Sequence, residues 1–446
     1  MKKLIILLFL TGFTSMLYAQ QKEQKLKELF EAYAKLYKFN GSVLIAQNGK
    51  VLLNQGYGFK SISDSIPNDA NTIYQIGSVT KQFTAAAILK LQEEKKLNVQ
   101  DKISKYFPDF PKGDSITIEH LLTHTSGIFN YTNDPVFMQS QAVKPITEEK
   151  MIALFKNKPL NFAPGSKMSY SNSGYMLLGY IIQKLSKKPY EQAIREIIFN
   201  PLNMNSSGFD FTHFNNKDKA TGYFSISQNG NIPATIVDST VSYAAGAIYS
   251  TTADLYKWHK GLMSNEIVSK NSIDKAYTPY LNKYGYGWGI DSIYGKRLIS
   301  HGGGIFGFTS NVARVTEDDI FIVMLNNFGN SNLGHITKDG LAILYEKPYK
   351  LPEAKKEISL STDILKNYPG VYELSPEFSI TITLENGSLF GQPTSQQKSQ
   401  LFAQKENLFF LKVVDAEIEF KKDDNGKVKE LILIQGGRNT VGKKVK

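Results

Sequence analysis

The 446-residue chain has no cysteine. That excludes disulfides, thiol nucleophiles, zinc–thiolate sites and lipid anchors carried on sulfur. Long apolar runs are almost as scarce. The one candidate, MKKLIILLFLTGFTSMLYA at residues 1–19, is interrupted at Thr11 and Gly12, short of the ~20 apolar residues that a membrane-spanning helix needs. Concentrated charge is missing too. The 52 basic residues exceed the 41 acidic ones for a net charge of +11, but they are scattered and form no aromatic-interleaved stripe. Nucleic-acid binding is therefore disfavoured, and loose affinity for an anionic envelope polymer such as peptidoglycan suits the balance better. No internal repeat is visible.

What is present begins at the N-terminus. Lys2 and Lys3, a short apolar run and Ala19 before the polar QQKEQK have the layout of a secretory signal peptide over 1–19. The expectation is an exported protein, periplasmic or secreted, with no stable membrane insertion. Apolar residues at 41% and charged residues at 21% give the balance of a globular chain.

Two apolar runs joined by Asn48-Gly49 in GSVLIAQNGKVLLNQGYG, Gly41 to Gly58, predict a β-hairpin with a type I′ turn. Helical patterns and loops fill about 100 to 240, including Tyr175 to Ser186 and Tyr190 to Phe199. Strand-like runs return at Arg297–Ser300, Ser310–Val315 and Ile320–Leu325, and a helix is expected around 332–345. Strands at both ends of a helical middle predict an α+β domain over 20–345: an antiparallel sheet flanked by helices, with a helical subdomain. EKPYKLPEAKK, 346–356, reads as a linker. The alternating runs over 357–446, with Asn386-Gly387 and Asn425-Gly426 between them, predict a small all-β barrel domain.

Three stretches carry candidate chemistry. In QIGSVTKQFTAAAILKLQ, residues 75–92, Phe83, Ala86, Ala87 and Leu91 predict a helix with one apolar face starting near Ser78. Ser78 and Lys81, three apart, then share a face. A serine hydroxyl needs a proton acceptor to become a nucleophile, and a neutral amine is one. The positive end of the helix and burial both push Lys81 toward neutrality. The same Ser-x-x-Lys spacing recurs at Ser272 and Ser395, so spacing alone decides nothing. The second stretch places Tyr170-Ser171-Asn172 before an apolar helix. A loop tyrosine relays protons and an asparagine amide holds a carbonyl, although Tyr-x-Asn also occurs at Tyr131 and Tyr280. The third is His301-Gly302-Gly303-Gly304 after the strand-like RLIS. Its glycines admit close backbone approach to an acyl oxygen, and its histidine could donate to a substrate; the plain alternative is a glycine-rich turn.

In this order the three resemble the serine β-lactamase and penicillin-binding protein superfamily. The similarity is to the branch with Tyr-x-Asn and His-x-Gly: class C β-lactamases, D-Ala-D-Ala carboxypeptidases, D-aminopeptidases and related esterases. HLLTHTSG at His120–Gly127 and AAGAIYSTTADLYKW at Ala244–Trp258 extend the resemblance, which spans about 30 to 345. It implies Ser78 as nucleophile, Lys81 as its base, Tyr170 as a general base or acid, and Asn172 as a substrate-orienting amide. It also implies His301 where many members have lysine, as a cation titrating near ~6.5. Gly303 and Gly304 would border the substrate, with the N–H groups of Ser78 and Gly304 as oxyanion hole. Tyr368-Pro-Gly-Val-Tyr372 resembles the start of a small barrel appended to some members. No cofactor or metal is implied. The expected activity is hydrolysis of D-amino-acid-containing peptides through a Ser78 acyl-enzyme, of the cell-wall carboxypeptidase type. The alternatives are a β-lactamase or short-chain esterase, and a slowly deacylating penicillin-binding sensor.

Rival patterns fail on the residues. His120 and His124 have zinc-binding spacing, but Leu121 stands where a metalloprotease has glutamate. Gly302 to Gly307 fits G-x-G-x-x-G, yet a strand-like FTSNVARV follows instead of a helix, and no G-x-S-x-G elbow exists in the chain.

Overall fold

The structure is a computed structural model that describes residues 20–227, 230–329, 333–412, 416–435 and 438–446. The expected signal at 1–19 lies outside the described residues. No helix among the described residues is long and apolar enough to cross a membrane.

The N-terminal hairpin forms as its turn residues demand. Strands β1 (Gly41–Gln47) and β2 (Lys50–Tyr57) meet at Asn48 and Gly49, with φ of 53° and 72°, the two left-handed positions of a type I′ turn. Four later strands complete the sheet: β3 (Gly289–Ile293), β4 (Lys296–Ile305), β5 (Phe308–Val315) and β6 (Ile320–Asn326). The order is β2-β1-β6-β5-β4-β3, antiparallel throughout. β1 thus pairs with β6, and both are buried on both faces. Leu44, Ala46, Phe321, Val323 and Leu325 point into one core, and Val43, Ile45, Ile320, Ile322 and Met324 into the other, the period-2 alternation of a pleated strand. Helix α1 (residues 20–35) and helix α5 (Leu333–Leu344) contribute to the second core. The first core holds α2 (Thr80–Glu93) and α3 (Asn172–Ser186).

Helix α2 departs from the single apolar face expected for it. Thr80, Lys81, Gln82 and Thr84 are as buried as Phe83 and Ile88. The fold tolerates this because most of these polar atoms have a partner, although Gln82 Nε2 is buried with none among the described residues. Thr80 Oγ1 accepts from the Ile248 N–H, Thr84 Oγ1 donates to the Ala244 carbonyl, and Gln82 Oε1 accepts from Trp258 Nε1. The Ala244 and Ile248 groups come from α4 (Ser239–Gly246) and the segment after it, where Tyr243 takes the strained values φ 35° and ψ −130° inside the helix.

His301 to Gly304 form no turn. They lie inside β4, paired with Val312 to Thr309 of β5. Pairing of β4 with β3 ends at Ser300, so beyond it this edge of β4 faces the segment leading into α2. A Cβ on Gly303 would sit 2.0 Å from the Ile76 carbonyl oxygen, and Gly77, at φ 52°, lies against the Gly304 backbone. Glycine here permits backbone against backbone.

The C-terminal part is a closed eight-stranded barrel running from Gly370 to Lys444, around Tyr368, Tyr372, Ile380, Phe409 and Phe420. Asn386 and Gly387 again take two left-handed φ values, 49° and 76°. Asn425-Gly426 sits instead in a longer loop, because the Asp423 carboxylate accepts from the N–H groups of Asn425 and Lys427. Only a one-turn helix, Thr362–Leu365, lies between α5 and the barrel.

The packing at β4 makes a testable distinction. Gly303→Ala should cost about 1–3 kcal/mol of unfolding free energy in urea denaturation, as an over-packed site does. Gly304→Ala should be close to neutral in the same measurement, since its Cβ meets nothing within 4 Å.

Candidate active site

A tight turn, Gly77–Val79, sets Ser78 immediately before α2 and places Lys81 in the first full helical turn. Lys81 is 0% exposed. Its Nζ lies 3.0 Å from Ser78 Oγ, 2.8 Å from Asn172 Oδ1 and 2.8 Å from the Ala245 carbonyl oxygen. The Asn172 amide is fixed from its other side, with Nδ2 donating to Thr132 Oγ1 and its backbone N–H donating to Asn130 Oδ1. Two of the three Nζ contacts are to oxygens that only accept. A neutral amine therefore spends both N–H groups on Asn172 and Ala245, and its lone pair faces the Ser78 hydroxyl. Burial holds the Lys81 pKa well below its ordinary value, since desolvation disfavours the charged form.

Tyr170 stands beside this pair. Its ring centroid lies 4.8 Å from Lys81 Nζ, and its hydroxyl is buried without a hydrogen-bond partner among the described residues. Burial pushes the phenol pKa up, only partly offset by the neighbouring Ser78 hydroxyl. Tyr170 is accordingly a protonated phenol at neutral pH, suited to give a proton and not to take one.

The structure brings Ser78, Lys81, Tyr170, Asn172, His301, Gly303 and Gly304 to one place. An open cleft of about 500 Å³ is lined by Ser78, Tyr170, His301 to Gly304, Thr309 to Asn311, Leu333 and Gly334. The other two Ser-x-x-Lys matches have different surroundings. Ser272 Oγ donates to a Glu93 carboxylate oxygen, and Ser395 is exposed in a barrel turn. Tyr131 of the spare Tyr-x-Asn pattern is tied to the Val241 carbonyl.

His301 differs from its expected role as a cation directed at substrate. Its Nδ1 lies 2.7 Å from the Gly302 carbonyl oxygen and its Nε2 lies 2.8 Å from the Tyr284 hydroxyl. Burial, with the neighbouring Lys81, pushes its pKa down to about 4, so the ring is uncharged at neutral pH. His120 and His124 are likewise not a metal pair. His120 Nδ1 accepts from the Thr117 N–H at a helix start, whereas His124 is buried against Tyr170, Tyr175 and Tyr284. The described residues contain no cluster of three or more metal-ligating side chains.

Three functional contributions escaped the sequence. The Ala245 carbonyl is backbone, which leaves no side-chain signature. Tyr284 belongs to a tyrosine-rich loop with no recognisable pattern. Thr132, which holds the Asn172 amide, is the middle residue of the recurring Tyr-x-Asn match at Tyr131, a pattern that by itself marks no role.

Comparison with known proteins gives concordant results. Residues 26–346 match the Beta-lactamase family, and residues 354–441 match a domain of unknown function, DUF3471. Penicillin-binding protein 4* of Bacillus subtilis (strain 168) is 30% identical over 448 residues, covering 94% of this chain and 98% of that protein. The putative penicillin-binding protein PbpX of the same organism is 31% identical over 325 residues, covering 71% of this chain and 80% of the relative. Among solved structures, the octameric penicillin-binding protein homologue from Pyrococcus abyssi superposes with a TM-score of 0.66 at 28% identity, covering 94% of this chain and 99% of that one.

The buried rings give this site a pH signature. His124 and His301 are both held neutral by burial, whereas in the unfolded chain they titrate near ~6.5. The unfolded state therefore binds more protons in acid, and the stability these rings contribute is present above ~6.5 and lost as pH falls toward their folded values. Urea denaturation should give a lower unfolding free energy at pH 5 than at pH 7.5, and His301→Gln should lessen the difference. An equal or higher value at pH 5 would contradict the assignment.

Proposed function

The chain belongs to the Beta-lactamase family and is a serine hydrolase of that family, and on that footing we propose that Ser78 forms the acyl-enzyme. The observation that carries the reading is the Lys81 amine, buried and held by two obligate acceptors with its remaining position on Ser78 Oγ. Lys81 takes the Ser78 proton as Oγ attacks the acyl carbon. Tyr170, protonated and next to Ser78, gives a proton to the leaving group. Asn172 and the Gly303–Gly304 edge orient the acyl group, and the N–H groups of Ser78 and Gly304 serve the developing oxyanion.

The substrate class we propose is a D-amino-acid-containing peptide of the cell-wall type. The supporting fact is the relatedness over nearly the whole chain to a protein named for penicillin binding. A second reading is favoured by a separate observation: the described cleft-lining residues include no lysine or arginine, and His301 is neutral. That lining suits acyl donors with an uncharged leaving group, such as amides or short esters, better than a peptide with a terminal carboxylate. Export of the mature protein is part of the proposal and rests on the signal-like residues 1–19. None of the described groups around Ser78 comes from 357–446, which supports treating the barrel as an appended module after a catalytic part, 20–345.

Intact-mass measurement after exposure to a penicillin should show one adduct, absent in Ser78→Ala. Lys81→Gln should slow its formation on the order of 10²–10⁴-fold, the size of a lost general base. An adduct that persists in Ser78→Ala would refute the assignment. A comparison of a D-Ala-D-Ala peptide, its C-terminal amide, a cephalosporin and a short ester then separates the substrate readings. Because His301 stays neutral down to about 4, the ratio of kcat/KM for the free peptide to that for the ester should be flat between pH 6 and 8. A ratio falling through the ordinary histidine range would restore the cationic role.

A further inference from the structure

Two walls of the cleft are connected behind it by a hydrogen-bond chain whose direction the partners determine. The Ser171 N–H, in the Tyr170 loop, donates to His124 Nδ1 at 3.1 Å. That nitrogen must carry a lone pair, so in the neutral ring Nε2 carries the proton. His124 Nε2 lies 3.3 Å from the Tyr284 hydroxyl, which therefore accepts. At the far end the Gly302 carbonyl can only accept, so His301 Nδ1 carries its proton and Nε2 is bare. The Tyr284 hydroxyl donates to that bare nitrogen at 2.8 Å. One hydroxyl thus satisfies both rings, and only one arrangement of protons does so with both imidazoles uncharged.

Geometry supports a positioning role. His124 has φ 58°, a left-handed conformation uncommon for a residue with a side chain. Its ring lies 4.1 Å from that of Tyr170 between centroids, tilted by 35°, and Tyr284 lies 4.8 Å from His124 and 5.7 Å from His301. The described titratable groups around the two histidines are Lys81, Tyr170, Tyr175 and Tyr284, and no carboxylate is among them to stabilise an imidazolium.

We propose that His124 and Tyr284 are positioning residues of the active site. They fix the distance between the Tyr170 loop and the glycine strand, and they lock His301 as the Nδ1–H tautomer, so that it neither donates to substrate nor carries charge. The catalytic part of this inference rests on the Ser78 reading above; the tautomer assignment does not.

Long-range ¹⁵N–¹H spectra of the full-length protein at pH 7, assigned with His124→Asn and His301→Gln, test the tautomers directly. The expected result is a protonated Nδ1 with a bare Nε2 at His301, and the reverse at His124. Protonated Nε2 at His301, or an imidazolium, would overturn the proposal. Tyr284→Phe keeps the ring and removes the hydroxyl. In the folded variant the His301 titration should move up toward its ordinary range, and Ser78 acylation by a penicillin should slow on the order of tenfold, as expected for a displaced wall. A folded Tyr284→Phe with unchanged His301 titration and an unchanged acylation rate would equally overturn it. A failure of wild-type Ser78 to acylate would instead refute the functional reading while leaving the tautomer result standing.

Discussion

A buried amine with no carboxylate partner among the described residues is the constraint on which the rest of this structure depends. Lys81 has lost its hydration and gained the Ala245 carbonyl, the Asn172 amide oxygen and the Ser78 hydroxyl. An isolated buried ammonium is costly enough that the group gives up its proton instead. Two of the three partners can only accept, so the amine's lone pair is left for Ser78. The electrostatic cost of burial and the readiness of Ser78 to lose its proton are two aspects of one contact.

Much of the surrounding architecture holds that contact in place. The strained Tyr243 backbone turns the Ala244 and Ala245 carbonyls toward α2, where Thr84 and Lys81 receive them. Gly179 of α3 lets that segment approach, since a Cβ there would lie 2.4 Å from the Ala244 side chain. On the opposite side, Gly77 and Gly303 let the glycine strand lie directly against the turn that carries Ser78. Backbone strain at Tyr243 and side-chain deletion at three glycines serve one end, close approach around a short helix start.

Where sequence reasoning succeeded, local chemistry decided the structure. Asn48-Gly49 takes the two left-handed φ values of the type I′ turn expected of it, and the alternating and continuous apolar runs locate the strands that pair around β1 and β6. It failed where long-range packing decides. His301-Gly-Gly-Gly, which its composition also allowed as a turn, becomes strand because β5 pairs with it. The one apolar face expected for α2 disappears because a distant segment supplies hydrogen bonds to its polar side. The grouping of Ser78, Lys81, Tyr170, Asn172 and the glycine strand was legible from motif order. The charge of His301 was not, because it depends on burial beside Lys81, which distant packing decides and no local pattern announces.

The protein is a Beta-lactamase-family serine hydrolase whose described cleft-lining residues include no lysine or arginine and whose buried Lys81 amine sits against Ser78. The most direct measurement is the titration of Lys81 itself, by ¹⁵Nζ chemical shift in protein labelled at lysine, with Lys81→Gln to assign the resonance. The account predicts a transition well below the range in which the surface lysines titrate, with a neutral amine at the pH where Ser78 acylates. A Lys81 resonance that titrates together with the surface lysines would contradict it.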